Sequence, residues 1–125
     1  MQVKTSELKD KALDCAVALA LGGTNLRYDT VATWWVTIDG KDRALSKSWA
    51  QSFYPSTNWS HGGPIIEGNN LSLKSYYDDE SDSKWACLTD GGHFIHFGST
   101  PLIAAMRCFV AYKLGEIVDI PDELL

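Results

Sequence analysis

Apolar residues recur at helical spacing in two separate segments of the chain. In the first, roughly residues 9–21, they fall on one helical face and comprise Leu13, Ala16, Val17 and Ala20. Gly22 and Gly23 come next, and glycine readily adopts the left-handed conformation at which many helices end. The pattern predicts a helix over residues 9–21.

The second segment has a stronger helix signature. Thr100 can cap its N-terminus, and Pro101 suits the first helical position because its fixed φ matches that of a helix. One apolar stripe follows, made of Leu102, Ala105, Met106, Phe109 and Val110. Gly115 is placed to end this second predicted helix.

Shorter segments between the helices contain β-branched and aromatic residues bounded by turn signals. The predicted strands are residues 31–38, 43–54, 71–73, 85–88 and 93–97, with hairpin-turn signals at 39–40 and 89–92. This order of elements predicts an α+β fold in a single domain of residues 1–125. In it, a small antiparallel sheet is covered on one face by two helices. The partly apolar residues 116–125 are expected to pack back on this body.

The segment at residues 54–66 combines aromatic rings, hydroxyls, an amide, an imidazole, glycines and prolines. Glycine and proline disfavour a regular helix or a central strand, so we predict an ordered loop. Loops of this composition are typical of binding surfaces. A purely structural interpretation is also open, in which Pro55 and Pro64 fix turns while Trp59 and Ile65 fill the edge of the core.

Charge and cysteine usage narrow the classes of partner and compartment. The formal net charge is −5, and lysine and arginine form no basic cluster. Because binding of duplex nucleic acid requires a basic face, we expect no duplex nucleic acid partner. Cys15 and Cys108 fall in the apolar helical patterns, where buried free thiols and hence a reducing compartment are expected. The start of the chain lacks the apolar core of a signal peptide, and no apolar run reaches membrane-spanning length. We therefore expect no membrane association and a cytoplasmic location.

Other candidate motifs favour ordinary structural roles. His93 and His96 fall in a predicted strand, whose two-residue period sends them to opposite faces and disfavours a shared metal ion. The acidic run at residues 78–82 lacks the central glycine and closing glutamate of a calcium loop, so we interpret it as a solvated charge run in a connection at 76–84. The Gly62-Gly63-Pro64 segment matches neither the Walker phosphate-binding loop nor the dinucleotide-binding fingerprint. The sequence predicts no metal and no cofactor.

Three blocks of the chain resemble one protein family. Residues 3–14, 55–66 and 100–108 with the Leu114-Gly115 ending are similar to the NinX-like family, small proteins of unknown function encoded by tailed bacteriophages of enteric bacteria and their prophages. The resemblance implies a phage accessory protein in the cytoplasm of the infected bacterial host, and implies no activity. Family members typically carry Asp-Trp-Ser-Gln where this chain has residues 58–61, so a carboxylate is replaced by an amide and an amide by an imidazole.

The favoured functional prediction is a non-enzymatic binder that sequesters a small nucleotide-derived ligand, by analogy with phage proteins that blunt host immune signals. In it, Trp59 stacks on a base, the glycine amides approach an anion, and His61 adds partial positive charge near neutral pH. Local amides and Arg107 or Arg27 offset the negative charge of the chain. The predicted ligand-binding residues are Tyr54, Ser56, Thr57, Asn58, Trp59, Ser60, His61, Gly62, Gly63 and Arg107. No catalytic residue is assigned, and a homo-oligomer is expected.

Two alternatives are open at this point. One is a protein-binding inhibitor of a host defence enzyme that uses exposed aromatic anchors, for which Trp34, Trp35 and Trp59 are candidates. The other is a small hydrolase that uses His61 with Glu67.

Overall fold

The computed structural model describes residues 1–75 and 84–125. These residues form three α-helices, which are α1 (Asp10–Ala20), α2 (Trp59–Gly68) and α3 (Pro101–Leu114). They also form eight short strands, which are β1 (Gln2–Lys4), β2 (Thr24–Tyr28), β3 (Trp34–Ile38), β4 (Lys41–Ala44), β5 (Ser72–Ser75), β6 (Trp85–Leu88), β7 (Ile95–Gly98) and β8 (Ile117–Asp119). The acidic run at residues 78–82 lies outside the described part of the chain.

Both helices predicted from apolar spacing are confirmed. α1 buries residues 12–18, and the chain leaves it through Gly22, whose φ of +87° is a conformation that glycine adopts without strain. At the start of α3, the Thr100 hydroxyl accepts a hydrogen bond of 3.1 Å from the Ile103 amide. Gly115 follows its last turn with a φ of +98°.

The α+β prediction is confirmed, but the strands form three small antiparallel sheets where one was predicted. Their orders are β1-β8, β2-β3-β4 and β5-β6-β7. The residues between β4 and β5 form turns and α2 instead of continuing the sheet. The second and third sheets therefore pair locally, each strand with its neighbour along the chain.

The two predicted hairpins are present, and the partner strand predicted at residues 43–54 is confirmed only at its start. β3 and β4 are joined by Asp39 and Gly40 with φ values of 51° and 77°, the left-handed conformations that a tight hairpin turn requires. β4 ends at Ala44, so residues 45–54 do not continue as a partner strand. The chain instead loops back on itself, since the Phe53 amide donates to the Ala44 carbonyl oxygen across 2.8 Å. The hairpin of β6 and β7 lies where the turn at 89–92 predicted it.

The end of the chain packs back on the body, as predicted. β8 pairs antiparallel with β1, and the Ile120 side chain after it is fully buried. On β7 the alternation of faces is also as predicted, with His96 buried between exposed Ile95 and Phe97, whereas His93 lies before the strand and is exposed. His96 Nε2 lies 2.9 Å from a carboxylate oxygen of Glu116.

The core is centred on the contact between α1 and α3. Leu13 and Val17 of α1 meet Met106, Phe109 and Val110 of α3, and all five side chains are buried. The opposite side of α3 packs on β6 and β7. Every cysteine of the chain is a buried free thiol, which confirms the expectation for the two in the helical patterns.

The largest correction concerns residues 54–66, where an ordered loop was predicted and α2 begins at Trp59. Pro64 removes one helical amide, but its exposed position leaves the Ser60 carbonyl oxygen to solvent. Gly62 is required by packing. A Cβ there would lie 2.6 Å from a Leu102 methyl carbon and 2.7 Å from the Pro55 carbonyl oxygen. Close packing against α3 therefore outweighs the poor helix propensity of this segment.

The adjacent glycines of α2 provide a matched test of this packing. We expect Gly62→Ala to lower the free energy of unfolding by about 1–3 kcal/mol, because the added methyl group collides with α3 and the preceding turn. Gly63→Ala meets no atom within 4 Å, so its better helix propensity should leave stability unchanged or raise it by about 1 kcal/mol. Urea denaturation measures both; equal effects of the two changes would contradict the packing role of Gly62.

Candidate functional site

The predicted binding segment divides into a short turn and the first part of α2. The amides of Thr57 and Asn58 donate to the Tyr54 carbonyl oxygen over 3.2 and 3.1 Å, and this closes the turn. α2 then begins at the next residue. The predicted ligand-binding residues therefore lie on different elements, and only some of them share a cavity.

A cavity of about 440 Å³ lies between α1 and this turn, and we call it the α1 cavity. Three segments form its wall, and the lining residues are Asp10, Lys11, Asp14, residues 45–48, Tyr54, Ser56 and Thr57. Its volume falls within the range of roughly 300–1,000 Å³ typical of small-molecule sites. Of the predicted residues, Tyr54, Ser56 and Thr57 contribute to it.

Asp14 is the most unusual group in the wall of the α1 cavity. Its side chain comes from the buried part of α1 and is only 5% exposed. Burial raises the pKa of Asp14 to about 6, even though the amide and hydroxyl of Ser56 and the charge of Lys47 act to lower it. The Ser56 amide donates to its carboxylate over 2.8 Å. A desolvated carboxyl group in a cavity wall is a common feature of functional sites.

The hydroxyl of Ser56 lies beside this carboxyl group. The Ser56 side chain is 2% exposed, and within residues 1–75 and 84–125 its hydroxyl has no hydrogen-bond partner of normal geometry. Its proximity nevertheless helps to lower the pKa of Asp14. An unpaired buried hydroxyl costs about 1–3 kcal/mol, so a ligand group that bonds to it would gain free energy.

Charges and an aromatic ring surround the opening of the cavity. The ammonium nitrogen of Lys47 lies 5.4 Å from the centre of the Tyr54 ring, within cation–π distance. Lys11 adds a second positive charge on α1, next to the carboxylate of Asp10. The lining thus contains two basic and two acidic side chains, although the whole chain has a net charge of −5.

Trp59 lies outside the α1 cavity, at a second opening. Its side chain is 55% exposed and borders a cleft of about 260 Å³, which we call the Trp59 cleft. The other residues of that cleft come from the turn before α2 and from the start of α3, and are Ser56, Thr57, Thr100, Pro101 and Leu102. The indole is therefore accessible, as the sequence-based prediction requires.

Asn58 has a structural role that the prediction missed. Its side-chain oxygen accepts a hydrogen bond of 2.8 Å from the Ser60 amide, so Asn58 is the N-cap of α2. An aspartate would cap the helix equally well. The Asn58 side-chain oxygen is thus already engaged, and neither Asn58 nor Ser60 lines the α1 cavity.

His61 also acts within the structure, contrary to its predicted charge near neutral pH. Its Nδ1 accepts a hydrogen bond of 3.1 Å from the Tyr54 amide, and its ring stacks on Phe53 with 5.7 Å between centroids. Burial, and then the charge of Arg43, lower the pKa of His61, which favours the neutral ring. Its contribution is to hold the turn against α2.

The remaining predicted residues do not gather around a ligand. Gly62 packs against α3, and its amide donates to the Asn58 carbonyl oxygen, which leaves it unable to hold an anion. Gly63 lies within α2 as well. The Arg107 guanidinium donates to the carbonyl oxygens of Leu8 and Phe97, each over 2.8 Å. Arg107 therefore ties α3 to its neighbours, and it does not line the α1 cavity.

Lys11, Asp14 and Lys47 were missed by sequence reasoning, although one signal for Asp14 was available. It stands among Leu13, Cys15 and Ala16, on a face that the apolar pattern assigns to the core. A carboxylate in such a position is costly unless it is paired or protonated, which makes it a candidate for function. No sequence pattern around Lys47 indicated a binding role, since the position of its side chain depends on how the chain loops back after β4.

Two further observations concern metal binding and membrane spans among the described residues. No group of three or more His, Cys, Asp or Glu side chains in residues 1–75 and 84–125 is arranged to hold a metal ion. Within the same ranges, none of the helices has the length and apolar character needed to cross a membrane.

The raised pKa of Asp14 has a consequence for stability. The native carboxyl group binds a proton more readily than the unfolded chain does, so its contribution to the free energy of unfolding falls as pH rises from about 4 to about 6. Asp14→Asn should remove that fall and be about 1–3 kcal/mol more stable than the native chain at pH 7. Urea denaturation at pH 4 and pH 7 measures the difference.

Asp39→Asn is the matched control, because Asp39 is exposed in a turn where asparagine is equally suitable. The change in relative stability between pH 4 and pH 7 should be larger for Asp14→Asn than for Asp39→Asn, because Asp14 is buried and Asp39 is exposed. A constant difference for Asp14→Asn would show that the Asp14 carboxyl group is not desolvated.

A comparison with protein families places the chain among bacteriophage proteins. The family described as Bacteriophage P22, NinX matches residues 4–113. No curated protein sequence matches the chain. The family match covers α1, α2 and nearly all of α3, and so includes both cavities. The chain therefore belongs to the bacteriophage P22 NinX family and is a phage accessory protein.

Proposed function

We propose that this protein captures a small nucleotide-like ligand in the α1 cavity and holds it without chemical change. Tyr54 offers an aromatic face, while Lys11 and Lys47 offer positive charge for a phosphate group. Hydroxyl groups at positions 46, 48 and 57 can give directional hydrogen bonds. A nucleotide combines the ring, the hydrogen-bonding groups and the anion that suit these side chains.

The observation that carries the proposal is the buried polar pair in the cavity wall. Asp14 keeps a carboxyl group where burial disfavours its charge, and the Ser56 hydroxyl beside it lacks a hydrogen-bond partner within the described residues. Neither arrangement favours folding. Both would be favourable if a ligand presented an amino or hydroxyl group, because the carboxylate would accept one hydrogen bond and the serine could make another.

A binding role is favoured over hydrolysis. His61, the proposed general base, is packed between Phe53 and Tyr54, and its Nδ1 is already an acceptor. Glu67 lies six residues later on α2, about 120° away around the helix axis. The two side chains are therefore not placed to act together, and we assign no catalytic residue.

The family supports a setting for this binding. A phage accessory protein meets its ligand in the infected bacterium, and we propose the host cytoplasm as the compartment. Sequestration requires only tight, stoichiometric binding, so a small binder without turnover suffices to remove a host immune signal. We also propose a homo-oligomer, because Ile95 and Ile117 expose apolar side chains at 49% and 58%.

A second candidate function is inhibition of a host protein through aromatic anchors. The observation that favours it is the exposure of Trp59, with Tyr28 and Trp49 also 56% and 41% exposed. The other two anchors suggested by sequence are less available. Trp34 and Trp35 are half-buried, and the Trp35 indole donates to the Asp29 carboxylate over 2.7 Å.

Calorimetry with nucleoside monophosphates and diphosphates of the four common bases tests the proposal. We expect at least one to bind with one ligand per chain, and more weakly as salt increases. Lys47→Gln should weaken binding about fivefold, equivalent to about 1 kcal/mol, because an exposed charge pair contributes little more. Lys41→Gln is the control, since Lys41 is an exposed lysine of β4 that is not among the lining residues.

Native mass spectrometry of the purified protein gives an independent measurement. It should show the mass of the added nucleotide on each chain and report the number of subunits. Absence of binding by every nucleotide would refute the proposed function. Recovery of one host polypeptide in a fixed ratio, lost in Trp59→Ala, would favour the second candidate instead.

A further inference from the structure

The exposed indole of Trp59 is not explained by the α1 cavity alone. Most of the polar groups around it are engaged: Asn58 caps α2, and His61 bonds to the turn. The Trp59 ring, by contrast, is 55% exposed beside the Trp59 cleft. A large apolar ring next to a concave surface is a suitable stacking platform for a second planar group.

The two cavities share a wall. Ser56 and Thr57 line both the α1 cavity and the Trp59 cleft, and Tyr54 and Trp59 stand on either side of them along the chain. Ser56 is 2% exposed with an unbonded hydroxyl, as described above. A buried hydrogen-bonding group therefore lies at the junction of two concave surfaces, each with one aromatic ring.

The Trp59 cleft also has a favourable electrostatic character for an anion. Trp59 is the first residue of α2, and Pro101 is the first residue of α3, so two helix N-termini meet at one cleft. Asn58 and Thr100 each satisfy one amide of their helix, and the His61 amide donates to the Asn58 carbonyl oxygen. Pro101 has no amide hydrogen, so the amides of Trp59 and Leu102 are the ones that an anion in the cleft would meet. The partial positive charges of both helices add at this position.

Two aspartates of the α1 cavity restrict where the phosphate group of a bound nucleotide can lie. Asp10 and Asp14 line the α1 cavity, and their charges would repel a phosphate placed against them. Asp14 is suited instead to the amino or hydroxyl groups of a base or ribose. Among the described residues, the lining of the Trp59 cleft includes no acidic residue, so the phosphate is better placed there, by the helix N-termini.

We propose that the ligand is a dinucleotide: one nucleoside occupies the α1 cavity beside Tyr54, the second stacks on Trp59, and the linking phosphate lies by the N-termini of α2 and α3, on the side of Thr57 away from Asp14. This inference rests on the proposed function, which requires only the first half of the site. It adds a specificity-determining residue, Trp59, and a ligand class in which two planar rings are joined through phosphate. A mononucleotide would fill the α1 cavity alone.

Matched pairs of ligands separate the two halves of the site. For each of the four common bases, calorimetry compares the nucleoside monophosphate with the dinucleoside monophosphate in which the same base occurs twice. For the best base, we expect the native chain to bind the dinucleotide at least about tenfold more tightly. Stacking of one base contributes about 1–3 kcal/mol, which corresponds to roughly 5- to 150-fold in affinity.

Variants of Trp59 then test whether its ring causes the tighter binding of the dinucleotide. Trp59→Ala should abolish the preference for the dinucleotide and leave the mononucleotide affinity unchanged, while Trp59→Phe should retain most of the preference. Trp59 is exposed at the first helical position, where alanine is well tolerated, and circular dichroism checks that the variants are folded. Tyr112→Ala is the control, because Tyr112 is 49% exposed on α3 and lines neither cavity.

The outcomes distinguish this inference from the proposed function. If mononucleotides bind and dinucleotides bind no more tightly, or if Trp59→Ala weakens both equally, the two-part site is refuted and the nucleotide-binding function stands. If no member of the panel binds, both are refuted. Loss of the dinucleotide preference in Trp59→Ala alone supports the two-part site.

Discussion

The hydrogen bond from the Ser56 amide to the Asp14 carboxylate connects two segments that are 42 residues apart along the chain. It fixes the turn before α2 against the buried side of α1, and the α1 cavity lies between these two elements. Because Ser56 also lines the Trp59 cleft, the same bond sets the wall that both concave surfaces share. The position of Trp59, three residues later, follows from where this turn is held.

The burial of Asp14 that accompanies this hydrogen bond is unfavourable for folding. The carboxyl group of Asp14 is desolvated, and its pKa of about 6 means that a charge is buried at neutral pH. A core position on α1 filled by an apolar residue would avoid that cost. Proteins retain such strained or under-satisfied polar groups mainly where they bind or react with something. The arrangement is thus easier to understand as part of a ligand site than as part of the hydrophobic core.

The glycine- and proline-containing segment shows how local and tertiary preferences compete. Proline and glycine both disfavour a helix, and on that ground a loop was the reasonable prediction. α2 forms nevertheless, because Asn58 caps it, Pro64 faces solvent, and Gly62 allows contact with α3. The polar residues that suggested a binding surface were therefore used partly for capping and packing, while Trp59 remained exposed. Asn58 was a recognisable N-cap, and that signal was overlooked in favour of the proline and glycine.

Regular patterns carried reliable information for α1, α3 and the hairpins, because helical periodicity, capping residues and tight-turn residues act over a few neighbours. The α+β class and the resemblance to a phage family were likewise readable from the residues alone. The division into three sheets, the helical state of α2 and the composition of the α1 cavity were not. They depend on contacts between distant segments, such as Asp14 with Ser56 and Gly62 with Leu102, whose partners no local pattern reveals. The chain sequence contains these residues, but only packing in three dimensions brings them together.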